Sequence, residues 1–408
     1  MKIILQRTIT SLTNALDLVG TDEFHHGKRV ALMAAAIAHE MNWPNSRCEK
    51  MLYAGMLHDC GVSRVLEHRA ITETLEWEGA EHHCLRGAGY LEVCSPLAHF
   101  SEIVRWHHTR WEALLKEDLS DDLRLESNLI FLADRTDVLL APYFIGATLK
   151  NEILWEYPDI VKRISDLVGT LFSPQLIDAF RRAASRESFW LAMDPTYIDD
   201  LIENHLRRSQ PVQLDTREAL AIAALFAHTV DAKSSYTLEH STRVARIARH
   251  LAQTCGIEGE QLDKVEIAGL LHDIGKLRVP EAIIDKPGPL TREERAFVMR
   301  HSYDTGHILE KVFPGQPIAD WAGMHHENLL GTGYPYHRQA VAISREARLI
   351  AVADIFQAMS QERPYRGHMA KTDVMAHMEN LCTQGRIDPD MVGLLKTQLD
   401  HCYALAVD

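Results

Sequence analysis

The sequence predicts an all-α protein made of two tandem, homologous helical-bundle domains. Three observations carry that expectation. The chain has 408 residues, more than one hydrophobic core usually serves. Apolar residues recur with helical period while period-2 strands are scarce. Four groups of residues in the first half recur, in the same order, in the second.

Individual elements follow from local chemistry. FSPQLIDAFRRAA places Ser173 as an N-cap and Pro174 at the first helical position. The polar stretch 207–217, RRSQPVQLDTR, is the expected linker, so the domains are placed at residues 1–206 and 218–408. In HSTRVARIARHLAQTCG (240–256), Val244, Ile247, Ala248 and Leu251 form one apolar stripe, and Gly256 marks the helix end. TREERAFVMRH opens with Thr291 as N-cap and Glu294 three residues later, a capping box.

The repeat is specific. HGKRVA (26–31) matches HSTRVA (240–245), and AGMLHDCG (54–61) matches AGLLHDIG (268–275). His26 precedes His58 by 32 residues, as His240 precedes His272. WHH (106–108) matches MHH (324–326), and FLADRTDVL matches AVADIFQAM, pairing Asp134 with Asp354. The tails FSPQLIDAF and IDPDMVGLL also correspond.

Composition excludes several classes. With 46% hydrophobic and 25% charged residues, the chain reads as globular, neither disordered nor fibrous. The longest apolar runs, Val30–Ala38 and Ala219–Ala227, fall far short of the ~20 residues of a membrane helix, so no membrane association is expected. MKIILQRTIT lacks a secretory h-region, and the seven cysteines form no CxxC pair; both fit a cytoplasmic protein with reduced thiols. A net charge of −14 argues against a nucleic-acid polymer as partner. A small anionic ligand stays open, given a local positive feature such as a metal or an arginine pair.

The second half offers His240, His272, Asp273, His301, His325, His326 and Asp354. A lone buried histidine is more often a hydrogen-bonded core residue than a ligand, and an HD dipeptide alone is weak evidence. The ordered, repeated set changes that. Five imidazoles and two carboxylates suit two first-row metals, with Asp273 as the natural bridge. Two metals ~3.5–4 Å apart can activate water and polarise a phosphoryl oxygen. Adjacent His272 and Asp273 on one helix diverge by about 100°, and Lys276 is expected on the same helix face one turn along, where it can protonate a leaving oxygen. His337 and His368 read as surface residues.

LLHDIGK, KPGPLT (286–291), HHE…GTGYP (325–335) and VADIFQAMSQERPYR (352–366) closely resemble the HD-GYP phosphodiesterases, a subgroup of the HD metal-dependent phosphohydrolases. The resemblance covers residues 228–395. It implies hydrolysis of a 3′,5′-cyclic dinucleotide, cyclic di-GMP or 3′,3′-cGAMP, by two iron or manganese ions in a helical domain. One metal would sit on His240, His272, Asp273 and Asp354, the other on Asp273, His301, His325 and His326. It also implies that Lys276 lies beside the scissile phosphate, that Arg363 and Arg366 hold substrate phosphates, and that Gly333, Tyr334 and Pro335 form the signature loop. Three departures stand out. The position of a third-metal glutamate is Tyr236, Asn328 and Leu330 replace a charged pair, and Gln357 replaces an aspartate. Glu239, beside His240, is expected to point off the site.

The first half resembles a degenerate HD domain. It keeps His26, His58, Asp59, His107, His108 and Asp134 as a vestigial metal site, with His82 or His83 in the third slot and His83 taken forward. Val62 replaces the lysine, and no GYP loop or RPYR follows. It is expected to be noncatalytic, with or without metal, and to serve homodimerisation or contact with the second domain; the competing reading is a second hydrolase of the plain HD type, which does not always require that lysine. Two rival functions are a nucleotide-sensing receptor without turnover and an HD-type mononucleotide phosphohydrolase.

Overall fold

The computed structural model describes residues 3–19, 25–65, 67, 75, 79–144, 152–234, 239–361, 367 and 369–407. Arg363, Arg366, Tyr236 and His368 lie outside the described residues. Helices dominate; the β-structure among the described residues is one ribbon, Ile3–Ile4 paired with Gln213–Leu214, and two isolated bridges. The chain divides into two compact units, Ile4–Gln213 and Leu214–Asp408 with Met1–Ile3. The division falls inside the stretch expected as a linker. That stretch is structured, because Asp215 and Glu218 form a capping box that starts the Thr216–Asp231 helix.

Each unit is built on the same plan. In the first, His26–Glu40 packs on Asn45–Leu57 and on Asp121–Leu140, while Ala80–Glu92 packs on Ser101–Trp106. In the second, His240–Thr254 packs on Gly259–Leu271 and on Arg345–Ser360, while Arg292–Val312 packs on Ile318–Gly323. Even backbone strain repeats: the residue before each first histidine, His25 or Glu239, is left-handed at φ 74° or 68°.

The expected apolar stripe forms the core of the second unit. Val244, Ile247, Ala248 and Leu251 are fully buried, each large one contributing about 1.5–3 kcal/mol. Their helix ends at Thr254, and Gly256 takes φ +81° just beyond it. Thr291 and Glu294 form the expected capping box. Ser173 occupies its N-cap position before Pro174, but its hydroxyl makes no capping bond; instead its N–H donates to the buried Asn128 Oδ1. No helix among the described residues is long and apolar enough to cross a membrane.

One expectation needs correction. His272, Asp273 and Lys276 do not share a helix face. The helix stops at Leu271, His272 is its C-cap, and Ile274–Arg278 form a 3₁₀ turn. Within that turn Gly275 packs closely, since a Cβ there would lie 2.1 Å from the His301 carbonyl oxygen. The tight turn still returns Lys276 to Asp273.

Candidate metal centre

The four structural anchors of the second unit converge on Asp273. The His240 helix start, the His272 C-cap, the middle of the Arg292–Val312 helix and the end of the Ile318–Gly323 helix each deliver an imidazole. Asp273 Oδ2 lies 3.6 Å from His240 Nε2 and 3.4 Å from His272 Nε2. Its Oδ1 lies 3.4 Å from His301 Nε2 and 3.6 Å from His325 Nε2. One carboxylate thus faces two histidine pairs, one oxygen each. Asp354 Oδ1 closes the first pair at 3.3 Å from His240 and 3.7 Å from His272. His326 joins the second, its ring 5.1 Å from His301 and 4.1 Å from His325.

The tautomers suit metal binding. The Nδ1–H groups of His272, His301 and His325 donate to the carbonyls of Gly269, Val298 and Ala322 at 2.8, 2.6 and 2.6 Å. His240 donates to Gln357 Oε1 at 2.5 Å. All four Nε2 atoms therefore face the cluster, and the outer partners fix ring orientation. His272 Nε2 and Asp273 Oδ1 are buried with no hydrogen-bond partner, a state that a bound cation satisfies. The donor set of imidazoles and carboxylates fits divalent first-row metal binding.

Electrostatics divides the histidines. Burial and the neighbouring rings of His326, His272 and His301 hold His325 well below the usual range, and burial with His301 pushes His326 down to about 3. Both are held neutral, the form in which an imidazole can act as a ligand. Burial also opposes a charge on His272, but Asp273 and Asp354 outweigh it and raise the pKa to about 9. Burial works against the Asp273 carboxylate, yet His272 and Lys276 keep it well below its ordinary value. Lys276 Nζ donates to Asp273 Oδ2 at 2.5 Å and remains partly exposed at the site's edge.

A cavity of about 270 Å³ opens onto His325 and His326. Gly333 and Tyr334 line it, together with Arg295 and Arg386; Pro335, half-buried, is not part of that lining. The loop is held from within. Glu327 accepts the Tyr336 and Arg338 N–H groups at 2.7 and 2.9 Å. Asn328 Oδ1 accepts from Leu330 and Thr332 at 3.1 and 3.0 Å. A Cβ on Gly333 would lie 2.5 Å from Glu327 Cα, so only glycine fits. Glu239 is exposed and pairs with Arg243 at 2.9 Å, away from the cluster.

The first unit brings its expected residues together in the same pattern. Asp59 Oδ2 lies 3.7 Å from His26 Nε2 and 3.4 Å from His58 Nε2, and its Oδ1 lies 3.4 Å from His83 Nε2 and 3.9 Å from His107 Nε2. The third slot is resolved: His83 is buried and His82 exposed. Asp134 sits 3.5 Å from His26 and 3.6 Å from His108. It differs in its surroundings. Arg135, fully buried, binds Asp134 Oδ2 at 2.7 Å. Leu16, Val19, Met56 and Val62 wall the adjoining cavity beside His26 and Asp59.

Sequence reasoning noted Gln357 only as a departure from the family pattern and missed its contact, and it missed several other residues. Gln357 orients His240, and Asp137, at the same place in the repeat, orients His26 at 2.7 Å while pairing with Arg29. The repeat spacing signalled both. Cys84 Sγ lies within 4.8 Å of a ring nitrogen of each of His83, His107 and His108, in the place of Ser302. Arg295 and Arg386 carried no motif.

Comparison with known proteins agrees with this architecture. HD-domain family models match residues 224–391 and 24–139. The chain is 36% identical to the 3′3′-cGAMP-specific phosphodiesterase 1 of Vibrio cholerae, over 99% of its own length and 94% of the relative's. It is 34% identical to a cyclic di-GMP phosphodiesterase of Pseudomonas aeruginosa, over 38% of this chain and 37% of that one. Its fold matches a crystal structure of a cyclic GMP-AMP specific phosphodiesterase from V. cholerae at a TM-score of 0.65 and 24% identity, covering 98% of each chain. With its paired histidine–aspartate clusters and its GYP loop, the chain belongs to the HD-GYP family, a C-terminal HD-GYP domain preceded by a second, divergent HD domain.

Proposed function

We propose that the second unit hydrolyses one phosphodiester of a 3′,5′-cyclic dinucleotide to the linear 5′-phosphorylated dinucleotide, with 3′,3′-cGAMP preferred over cyclic di-GMP. The carrying observation is Asp273, which faces two histidine pairs with one oxygen each while Lys276 stands beside it. The base preference is supported by the full-length similarity to a 3′3′-cGAMP-specific enzyme, against partial similarity to cyclic di-GMP enzymes.

His240, His272, Asp273 and Asp354 would hold one metal, and Asp273, His301, His325 and His326 the other, iron or manganese by donor type. Bound there, the metals would supply an activated water and charge stabilisation at phosphorus. Lys276 supplies the cation nearest the cluster. Its ammonium stabilises the charge developing on the phosphoryl oxygens and donates a proton to the departing 3′ oxygen as the P–O3′ bond breaks. Tyr334, its phenol raised by burial and then by Asp354 and Asp273, stays protonated and serves as wall and donor. Arg295 and Arg386 give the acidic protein a local positive feature for the second phosphate. Arg363 and Arg366 keep the phosphate-holding role that their motif implies. The first unit, with Val62 in place of the lysine, is proposed to be noncatalytic.

The test is a chromatographic product assay, with manganese or anaerobic ferrous iron and each dinucleotide offered separately. The expected result is a linear dinucleotide, formed faster from 3′,3′-cGAMP. Asp273→Asn abolishes turnover and metal content together, whereas Lys276→Met keeps the metals and loses roughly 10²–10³ in kcat. No product from either dinucleotide, with metals bound, would overturn the assignment.

A further inference from the structure

We propose that His83, Cys84, His107 and His108 form a closed metal centre in the first unit, holding a thiophilic divalent metal such as zinc through three imidazoles and one thiolate. This goes beyond the catalytic reading and does not rest on it. One ligand atom from each residue lies within 4.8 Å of all the others. His83 Nε2 is 3.3 Å from His107 Nε2, and Cys84 Sγ is 3.7 Å from His83 Nε2 and 4.0 Å from His107 Nε2. A zinc tetrahedron with ordinary bond lengths has N···N edges of about 3.4 Å and N···S edges of about 3.6 Å. The His83, Cys84 and His107 edges are therefore near tetrahedral spacing before any ion enters, and His108 completes the set within 4.8 Å.

Burial and orientation point the same way. His83, Cys84 and His107 are at most 2% exposed. The His108 side chain is 7% exposed, and its Nε2, 3.6 Å from Asp134 Oδ2, has no hydrogen-bond partner. His107 donates Nδ1–H to the Val104 carbonyl at 2.6 Å, which leaves Nε2 as the ligand.

The repeat explains why this site differs from the catalytic one. Ser302 occupies the place of Cys84 in the second unit, its hydroxyl 3.4 Å from His301 Nε2. A neutral hydroxyl is a poor ligand there, so a coordination position stays open. A soft sulfur is a strong ligand, and four protein donors complete a structural-type shell. In the metal-free protein the Cys84 thiol donates to the Ala80 carbonyl at 3.2 Å. Metal binding exchanges that proton for the metal–sulfur bond and releases it to solvent.

The experiment uses the full-length protein, stripped with a chelator and reloaded with cobalt. The second unit's cluster contains no cysteine, so a near-ultraviolet thiolate-to-cobalt charge-transfer band reports the proposed centre alone. We expect the band in the wild type and in Cys60→Ser, its loss in Cys84→Ser and His107→Ala, and its quenching by zinc. Elemental analysis should show one metal fewer per chain in Cys84→Ser. Cobalt binding without the band, or a band that survives in Cys84→Ser, would overturn the proposal. Unaltered far-ultraviolet circular dichroism separates ligand loss from misfolding, and should Cys84→Ser not fold, His108→Ala replaces it with the same expected loss.

Discussion

Replacing Gly275 by alanine would put a methyl group where the His301 backbone already sits. The new Cβ would lie 2.1 Å from the His301 carbonyl oxygen, 2.9 Å from its carbon and 3.0 Å from its Cα. These are main-chain atoms, so no rotamer change relieves the clash; the 3₁₀ turn and the His301 helix must separate by about 1 Å to reach ordinary contact. Overpacking of this kind costs about 1–3 kcal/mol. The displacement falls between the turn carrying Asp273 and Lys276 and the helix carrying His301, so the 3.4 Å approach of Asp273 to His301 is lost. A misplacement of that size costs roughly 10² in rate. Gly61→Ala is the internal control. Its Cβ would meet the His83 carbonyl at the same 2.1 Å in the first unit, so the stability loss should be similar and kcat nearly unchanged. Denaturant unfolding of both variants, with kcat and metal content, checks this. A Gly275→Ala protein with wild-type stability and metal content would refute the packing argument, and equal kcat loss in Gly61→Ala would refute the division of labour.

Gln357→Ala removes the acceptor for His240 Nδ1–H; metal affinity should fall 10–100-fold, Gln357→Asp should restore it, and equilibrium dialysis reads both. Arg295→Ala and Arg386→Ala should each raise KM roughly tenfold or more, with kcat little changed, through loss of a charge-assisted phosphate contact; unchanged KM in both would remove these residues from the substrate site. In chelated protein, burial is outweighed by carboxylates at His272 and at His26, whose pKa rises to about 10 through Asp137. Both folded values exceed the unfolded one, so their stabilisation is fully present below pH 6.5 and lost as pH climbs toward 9 and 10. Stability should therefore fall as pH rises from 6.5 to 8, by on the order of 1–2 kcal/mol per group, measured by urea unfolding; a flat profile would refute the pairing. Manganese should reverse the loss in the second unit and release protons on binding.

The duplication shows which features of the site are structural and which are chemical. Gly61 and Gly275, the left-handed His25 and Glu239, and the carbonyl partners of His58 and His272 repeat in both units. They hold the histidine geometry whatever the site does. Lys276 against Val62, Ser302 against Cys84, and Gln357 against Asp137 differ, and these change the charge and hydrogen bonding around otherwise matching histidines.

The sequence by itself determined the helical class, the tandem repeat and the identity of the clustered histidines and aspartates. These depend on local periodicity and on motif order, which survive in one dimension. Capping at Thr291 was legible for the same reason, since N-cap and N3 are three residues apart. What only the tertiary structure decided depends on approach between distant segments. The helix ends at Leu271, and the turn after it brings Gly275 against His301. The choice of His83 over His82 is set by which face of the Ala80–Glu92 helix is buried. Gln357 meets His240 across 117 residues of sequence, and Cys84 meets His107 across 23. Arg295 and Arg386 reach one cavity from separate elements. Such contacts are fixed by packing of a shared core, a nonlocal constraint that no single stretch of chain encodes.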